Sequence, residues 1–278
     1  MRHTLKLAAF AAALVAPVIV SPQAMTGPAQ VLRIGREIVK PGKDGAHTKW
    51  ETAWSRAIEA AKYPGTFIAL TAMTGSNEAW FVWGYPSLAA MQKENETADA
   101  SATLTAIGDR YSAAESEYLQ DGRTMILTRR DDLSYSTSRP LSEMRFLSAT
   151  RILVRPGHTA EFVEARTAVK AAHEKAKLPD GYGIYQVVDG MPGGTYYLFA
   201  ARKSLSEVDD GAKIHNDPAY LAALGADWTK RNAALVAAYE TSAETNLFSV
   251  SPGMSSVPKE WVAADSYWKP KATAKKAP

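Results

Sequence analysis

The sequence predicts an α+β fold in which one βαββαβ unit is written twice. Three observations carry this. The phrase "IVKPGKDGAHTKW" at 38–50, a strand end, a Pro-Gly break and a helix start, returns as "LVRPGHTAEFVEA" at 153–165. At an offset of 115, Ala53, Ala57, Ala61, Lys62 and Pro64 fall on Ala168, Ala172, Ala176, Lys177 and Pro179, and Gly75 falls on Gly190. Later matches move the offset only in turn-like stretches: Ser87-Leu88 meets Ser204-Leu205 at 117, and Thr124 and Ser134 meet Thr245 and Ser255 at 121. Such spacing is what a duplicated fold leaves behind.

The first strand, "VLRIGREIV" at 31–39, puts Leu32, Ile34, Arg36 and Ile38 on one face, and "FLSATRILV" at 146–154 is its counterpart. Pro-Gly ends it. Asp44 and Thr159 are favoured helix caps, so a helix is expected after each. In the first helix Ala46, Trp50, Ala53, Trp54, Ala57, Ile58 and Ala61 form the expected apolar stripe. "FIALTAM" (67–73) and "AWFVWGY" (79–85) around "TGSNE" read as a β-hairpin, repeated as "YGIYQVV" and "YYLFAAR" around "DGMPGGT". Amphipathic stretches at 87–119 and 204–243 lead to the last strands, "RTMILT" and "TNLFSV". Asn216-Asp217-Pro218 divides the second stretch into a short and a longer helix. Strand, helix, strand, strand, helix, strand is the ferredoxin-like order. One such unit leaves a sheet face bare, and a second copy can cover it.

With 278 residues, 46% of them hydrophobic, the chain can bury a full core. "MRHTLKLAAFAAALVAPVIV" has the pattern of a secretory leader, basic residues ahead of a short apolar run, with cleavage expected near residue 24 or 29. The expected organisation is therefore a signal peptide at 1–29, a first repeat at 31–135, a linker at 136–145, a second repeat at 146–257 and an extension at 258–278 with a basic, disordered tail. An exported chain, periplasmic or extracellular, without a stable membrane anchor is the expectation. There are no cysteines, which excludes disulfides, thiol nucleophiles and thiolate metal sites. Setting aside Arg2, Lys6 and the four tail lysines turns a net charge of +3 into −3, which argues against a nucleic-acid partner.

The doubled βαββαβ order, the strand-Pro-Gly-helix opening and the aromatic hairpin resemble the dimeric α+β barrel superfamily, with two units fused in tandem into an intramolecular pair. The resemblance spans about 31–257. That superfamily includes antibiotic-biosynthesis-type monooxygenases, haem-degrading and chlorite-dismuting enzymes, and EthD-like and NIPSNAP-like proteins. It implies a ligand site between helices and sheet within one unit. The first half is the more aromatic there, with Trp50, Trp54, Trp80, Trp83 and Tyr85 as candidate walls. A packed core explains the same residues, because stripes at helical and strand spacing are what any core needs.

Arg36 and Arg151 are equivalent and could hold an anionic group on the ligand, or pair at a strand end. Thr71 and Gln186 are equivalent hydrogen-bonding candidates. His47, in a first helical turn one position off the apolar stripe, is the candidate base, and His173 stands where the first copy has Ile58. A histidine on an apolar face is more often an inert core residue. No pair of histidines has metal-ligand spacing, so no metal is expected, and HExxH, GxSxG and GxGxxG are missing. No cofactor is required, although haem on His47, His173 or His215 is compatible with the resemblance. The leading expectation is a binder of a small apolar or aromatic molecule in the first repeat. The alternatives are a monooxygenase-like enzyme acting on a phenolic or polyketide-like substrate, cofactor-free or haem-dependent, and a protein-interaction scaffold. Association beyond the internal pair is left open.

Overall fold

The computed structural model describes residues 28–135, 140–240 and 242–269. Residues 1–27 of the expected leader, the first four residues of the linker and the basic tail from 270 lie outside the described residues. Eight strands close into one antiparallel barrel in the order β1-β3-β2-β8-β5-β7-β6-β4. The first half supplies β1 (Val31–Val39), α1 (Asp44–Ala60), β2 (Phe67–Ala72), β3 (Glu78–Tyr85), α2 (Leu88–Asp99), α3 (Ala102–Glu115) and β4 (Leu119–Arg129). The second supplies β5 (Phe146–Leu153), α4 (Thr159–Ala176), β6 (Gly183–Asp189), β7 (Thr195–Arg202), α5 (Ser206–Ile214), α6 (Pro218–Leu224), α7 (Trp228–Ala237) and β8 (Glu244–Val250). Each half places its strands in the same relative order, and the seams are β2 against β8 and β4 against β6.

Backbone conformation repeats along with sequence. Gly42 and Gly157, Lys62 and Lys177, and Gly75 and Gly190 all have positive φ, and each pair is 115 residues apart. At Gly190 the requirement is steric as well, because a Cβ would stand 2.2 Å from the Thr124 carbonyl oxygen of the neighbouring strand.

Closure of the barrel gives the strands two kinds of face. Inward, Leu32, Ile34, Ile68, Leu70 and Met125 pack with Tyr185, Tyr197 and Phe248 from the other half. Outward, each half's sheet is covered by its own helices and by the tail of the other half. Leu133, just after β4, is buried in the second half's helix–sheet core, and Met254, just after β8, is buried in the first half's. The equivalent serines act alike: Ser134 Oγ accepts from the Ile184 amide, and Ser255 Oγ accepts from the Ala69 amide. This reciprocal exchange makes the two halves interdependent.

Three details depart from the sequence expectations. The caps fall one residue earlier, at Lys43 and His158, without side-chain hydrogen bonds, so Asp44 and Thr159 are first-turn residues. The second amphipathic stretch breaks twice, at Asp217, which caps Tyr220, and again at Gly225. The first breaks at Ser101, which caps Leu104. Beyond β8, a short helix α8 (Lys259–Ala264) and a 3-10 turn at Ser266–Trp268 bring Trp261 and Trp268 into the barrel's inner core. Among the described residues no helix is long and apolar enough to cross a membrane.

Candidate functional site

Helix α1 does not bury the stripe its alanines and tryptophans predict. Ala46 and Ala53 are exposed, and the face turned to the sheet carries His47, Glu51, Ser55 and Ile58. These recur at helical spacing, so the face is continuous, but three of its four residues are polar. Burying polar groups costs free energy unless they are paired. Ser55 is paired, to the Ser255 carbonyl at 3.1 Å. His47, 2% exposed, places Nε2 2.7 Å from Glu37 Oε2 on β1. Glu51, 6% exposed, makes no hydrogen bond among the described residues.

Above this floor lies a cavity of about 350 Å³ between α1, α3 and the outer face of the sheet. Arg33, Gly35 and Glu37 come from β1, Trp50, Glu51 and Trp54 from α1, Phe81 and Trp83 from β3, and Tyr111 and Glu115 from α3. Trp50 packs on Tyr111 at 4.6 Å between ring centroids, and Trp54 on Phe81 at 6.0 Å in an edge-on arrangement. Gly35 leaves the strand without a side chain where it lines the cavity, and a Cβ there would meet Trp83 only at 3.8 Å. The buried Trp83 indole N–H has no partner among the described residues, and the Arg33 guanidinium lies over the Trp83 ring at 4.3 Å. The walls are thus aromatic, and the lining carries three carboxyls, one of which, Glu37, is bonded to the His47 imidazole.

The electrostatics of the floor follow from crowding. Burial, then the charges of Glu37 and Glu115, push the Glu51 carboxyl up from 4.5 to about 9. Glu115 is raised by burial and by Glu37, with His47 acting the other way. No lysine or arginine lies within ion-pair distance of these three carboxyls among the described residues.

The second half is an internal comparison. At the offset of 115, Glu37, His47, Trp50, Glu51 and Trp54 correspond to Ile152, Phe162, Ala165, Arg166 and Val169. Ile152, Phe162, Ala165 and Val169 form a closed apolar core there, with Phe162 4.5 Å from Tyr196. The fold therefore does not need the carboxyl–imidazole cluster; the second half puts apolar residues at four of the five positions and Arg166, bonded to Tyr239 Oη, at the fifth.

The remaining candidates are dispersed. Arg36 and Trp80 face the barrel interior, on the other side of the sheet from His47. The expectation that Arg36 holds an anionic ligand group between helices and sheet is corrected by strand parity, since Arg33, Gly35 and Glu37 are the β1 residues turned to the helices. Arg36 pairs with buried Glu78 at 2.6 Å and lies over the Trp80 ring, and Arg151 pairs with Glu244 at 3.1 Å. Both are salt bridges at strand ends, the second of the two roles open to this equivalent pair. Thr71 bonds Ser249 across the β2–β8 seam at 2.9 Å, and Gln186 lies 3.5 Å from Arg130 in the second half. Tyr85 and Tyr63 both donate to Glu94, beyond the cavity. His173 is a core histidine, with Nδ1 on the Val169 carbonyl and its ring among Tyr135, Tyr182 and Tyr220.

Haem does not fit these residues. His47 gives Nε2 to Glu37 and does not line the cavity, His173 is enclosed in the other half, and His215 is exposed at the end of α5. The sequence reading missed Glu37, Glu51 and Glu115. Their signal was available in the comparison of halves, where carboxylates and imidazole stand opposite Ile152, Phe162 and Arg166.

No protein-family model matches the sequence, and no curated protein matches it. Solved structures do. A monooxygenase candidate from Lactobacillus acidophilus NCFM superposes with a TM-score of 0.50 at 7% identity, over 79% of this chain and 93% of that one. An anthrone oxidase-like protein superposes with a TM-score of 0.50 at 14% identity, over 80% and 91%. Identities this low report the fold and not the reaction. The closed eight-stranded barrel with helices outside is that of the dimeric α+β barrel proteins.

Proposed function

We propose that the first half of this chain binds a small, flat, aromatic molecule carrying a hydroxyl or enol, with its ring between Trp50, Trp54 and Trp83 and its oxygen toward Glu37, Glu51 and Glu115. The observation that carries this is the meeting of aromatic walls with the Glu37, Glu51 and Glu115 carboxyls in one cavity, at a place where the equivalent half packs Ile152, Phe162, Ala165 and Val169 into its core. Pockets of this size with apolar walls and a few convergent polar groups are the usual form of small-molecule sites. His47 is a positioning residue in this reading: it holds Glu37, and Glu37 meets the ligand.

The reaction class favoured is oxidation of the monooxygenase-like kind. A phenol or enol that loses its proton to the floor can pass electrons to O₂; one oxygen enters the ring in place of two hydrogens and the other leaves as water. The substrate supplies every electron, so no further reductant is needed. The fold relatives support this class only at the level of architecture. The tandem pair of ferredoxin-like units, each with strand order 4-1-3-2, and export under the N-terminal leader are parts of the same proposal.

The test is a tryptophan-fluorescence titration with 1-naphthol and with naphthalene, followed by oxygen-electrode traces for each phenol that binds. Saturable quenching by the naphthol, weaker for the hydrocarbon, supports the reading. Oxygen uptake coupled to loss of the phenol supports the oxidase step. Equal affinity for both compounds sinks the role of the polar floor.

A further inference from the structure

We propose that Glu37, His47 and Glu51 form a binding site for one divalent first-row transition ion. The donors come from two elements: Glu37 from β1, and His47 with Glu51 from successive turns of α1, four residues apart on one helix face. One ligand atom from each already lies within 4.8 Å of the other two. An ion with bonds of about 2.0–2.2 Å to nitrogen and oxygen can sit among them after small side-chain rotations.

A second observation points to a ligand independently. The Glu51 side chain is more than nine-tenths buried, has no hydrogen-bond partner among the described residues, and lines the cavity beside Glu37. Two carboxyls and an imidazole meet in one buried cluster with Glu115 nearby, and among the described residues no lysine or arginine is paired to them. Mixed imidazole and carboxylate donors suit zinc, manganese, iron or cobalt, whereas magnesium and calcium prefer all-oxygen sets. Two of the three donors, Glu37 and Glu51, line the open cavity, so an ion held there would keep a coordination position toward it. The second half lacks the site by composition: Ile152 and Phe162 donate nothing, and Arg166 puts a guanidinium where Glu51 stands.

The inference goes beyond the organic ligand and does not depend on it. When bound, such an ion would act as a Lewis acid toward an oxyanion in the cavity. Glu115, outside the donor set, would remain to accept a proton.

The experiment uses the whole chain, purified without a polyhistidine tag and stripped with a chelator. Cobalt(II) is titrated in and followed by its visible absorption, and zinc(II) by calorimetry. One equivalent per chain is expected. Glu51→Gln and His47→Asn should each weaken binding at least ~100-fold, while His158→Ala, at a half-buried histidine in the second half, should leave it unchanged. Cooperative thermal unfolding of each variant checks that loss of metal is not loss of fold. Failure to saturate, or equal affinity in the wild type and both variants, overturns the site. Naphthol binding in excess chelator reads the cavity separately: binding there without metal uptake overturns this inference alone, and metal uptake without naphthol binding supports it while removing the organic-ligand reading.

Discussion

Replacing Glu51 with Gln should make the metal-free protein more stable, and increasingly so as the pH rises. The side chain keeps its shape and loses only its capacity to ionise. In the folded chain the carboxyl titrates near 9 because burial and the charges of Glu37 and Glu115 oppose its ionisation, against 4.5 ordinarily. Between those values the folded state holds a proton that the unfolded state has released, so stability falls as pH rises, by ~1.4 kcal/mol per pH unit. At pH 7, about 2.5 units above the ordinary value, the penalty is of order 3 kcal/mol, and the amide removes it. Urea unfolding of wild type and variant, followed by tryptophan fluorescence in chelator from pH 5 to 8.5, measures the difference. It should be small at pH 5 and widen steadily. A difference that does not change with pH, or a variant less stable at pH 8, would refute the reasoning.

Other expectations concern residues that share a face or a sequence type but not a role. Trp80→Ala should cost ~3–5 kcal/mol of stability, as a buried aromatic in the inner core does, and leave naphthol affinity nearly intact. Trp83→Leu should show the reverse pattern, because its ring lines the cavity. Gly190→Ala should destabilise by well over ~1 kcal/mol, since it combines φ +87° with a contact against backbone, while Gly157→Ala, with open space around it, should cost less by denaturant midpoint. Burial holds the His173 imidazole below its ordinary 6.5. Its neutral form is therefore favoured by folding, and the contribution is intact above pH 6.5 and lost as pH falls below it; His173→Phe should flatten that limb of the stability curve.

Much of the architecture was legible because the information was local and repeated. The Pro-Gly breaks, the alternating hairpins and the offset of 115 required no knowledge of tertiary contacts, and the paired positive-φ residues have the same register. What the sequence did not reveal is which way α1 turns. Ala46, Trp50 and Ala53 make the more apolar stripe, yet the cavity lets Trp50 and Trp54 stand at its sides while His47, Glu51 and Ser55 face the sheet. Periodicity finds the hydrophobic face, and it misleads where a helix lines a polar site instead of a core. Arg36 was misplaced for a related reason. It shares the face of Leu32 and Ile34, but in a closed barrel that face is the interior, and the ligand cavity lies on the opposite side. The reciprocal placement of Leu133 and Met254 was also hidden, since nothing in a segment's own sequence says which half it will cover.

The central claim is that the first-half cavity is a ligand site, and Gly35→Val tests it most directly. The valine side chain would project into the cavity from the middle of β1, with only ordinary contact to Trp83 at the Cβ, at a position where the second half carries the β-branched Thr150. Calorimetric titration of 1-naphthol into wild type and Gly35→Val, with unfolding curves for both, is the measurement. The account predicts one saturable site in the wild type and at least a ~10-fold loss of affinity in the variant, with its cooperative fold retained. Undiminished binding in a folded Gly35→Val protein would contradict it.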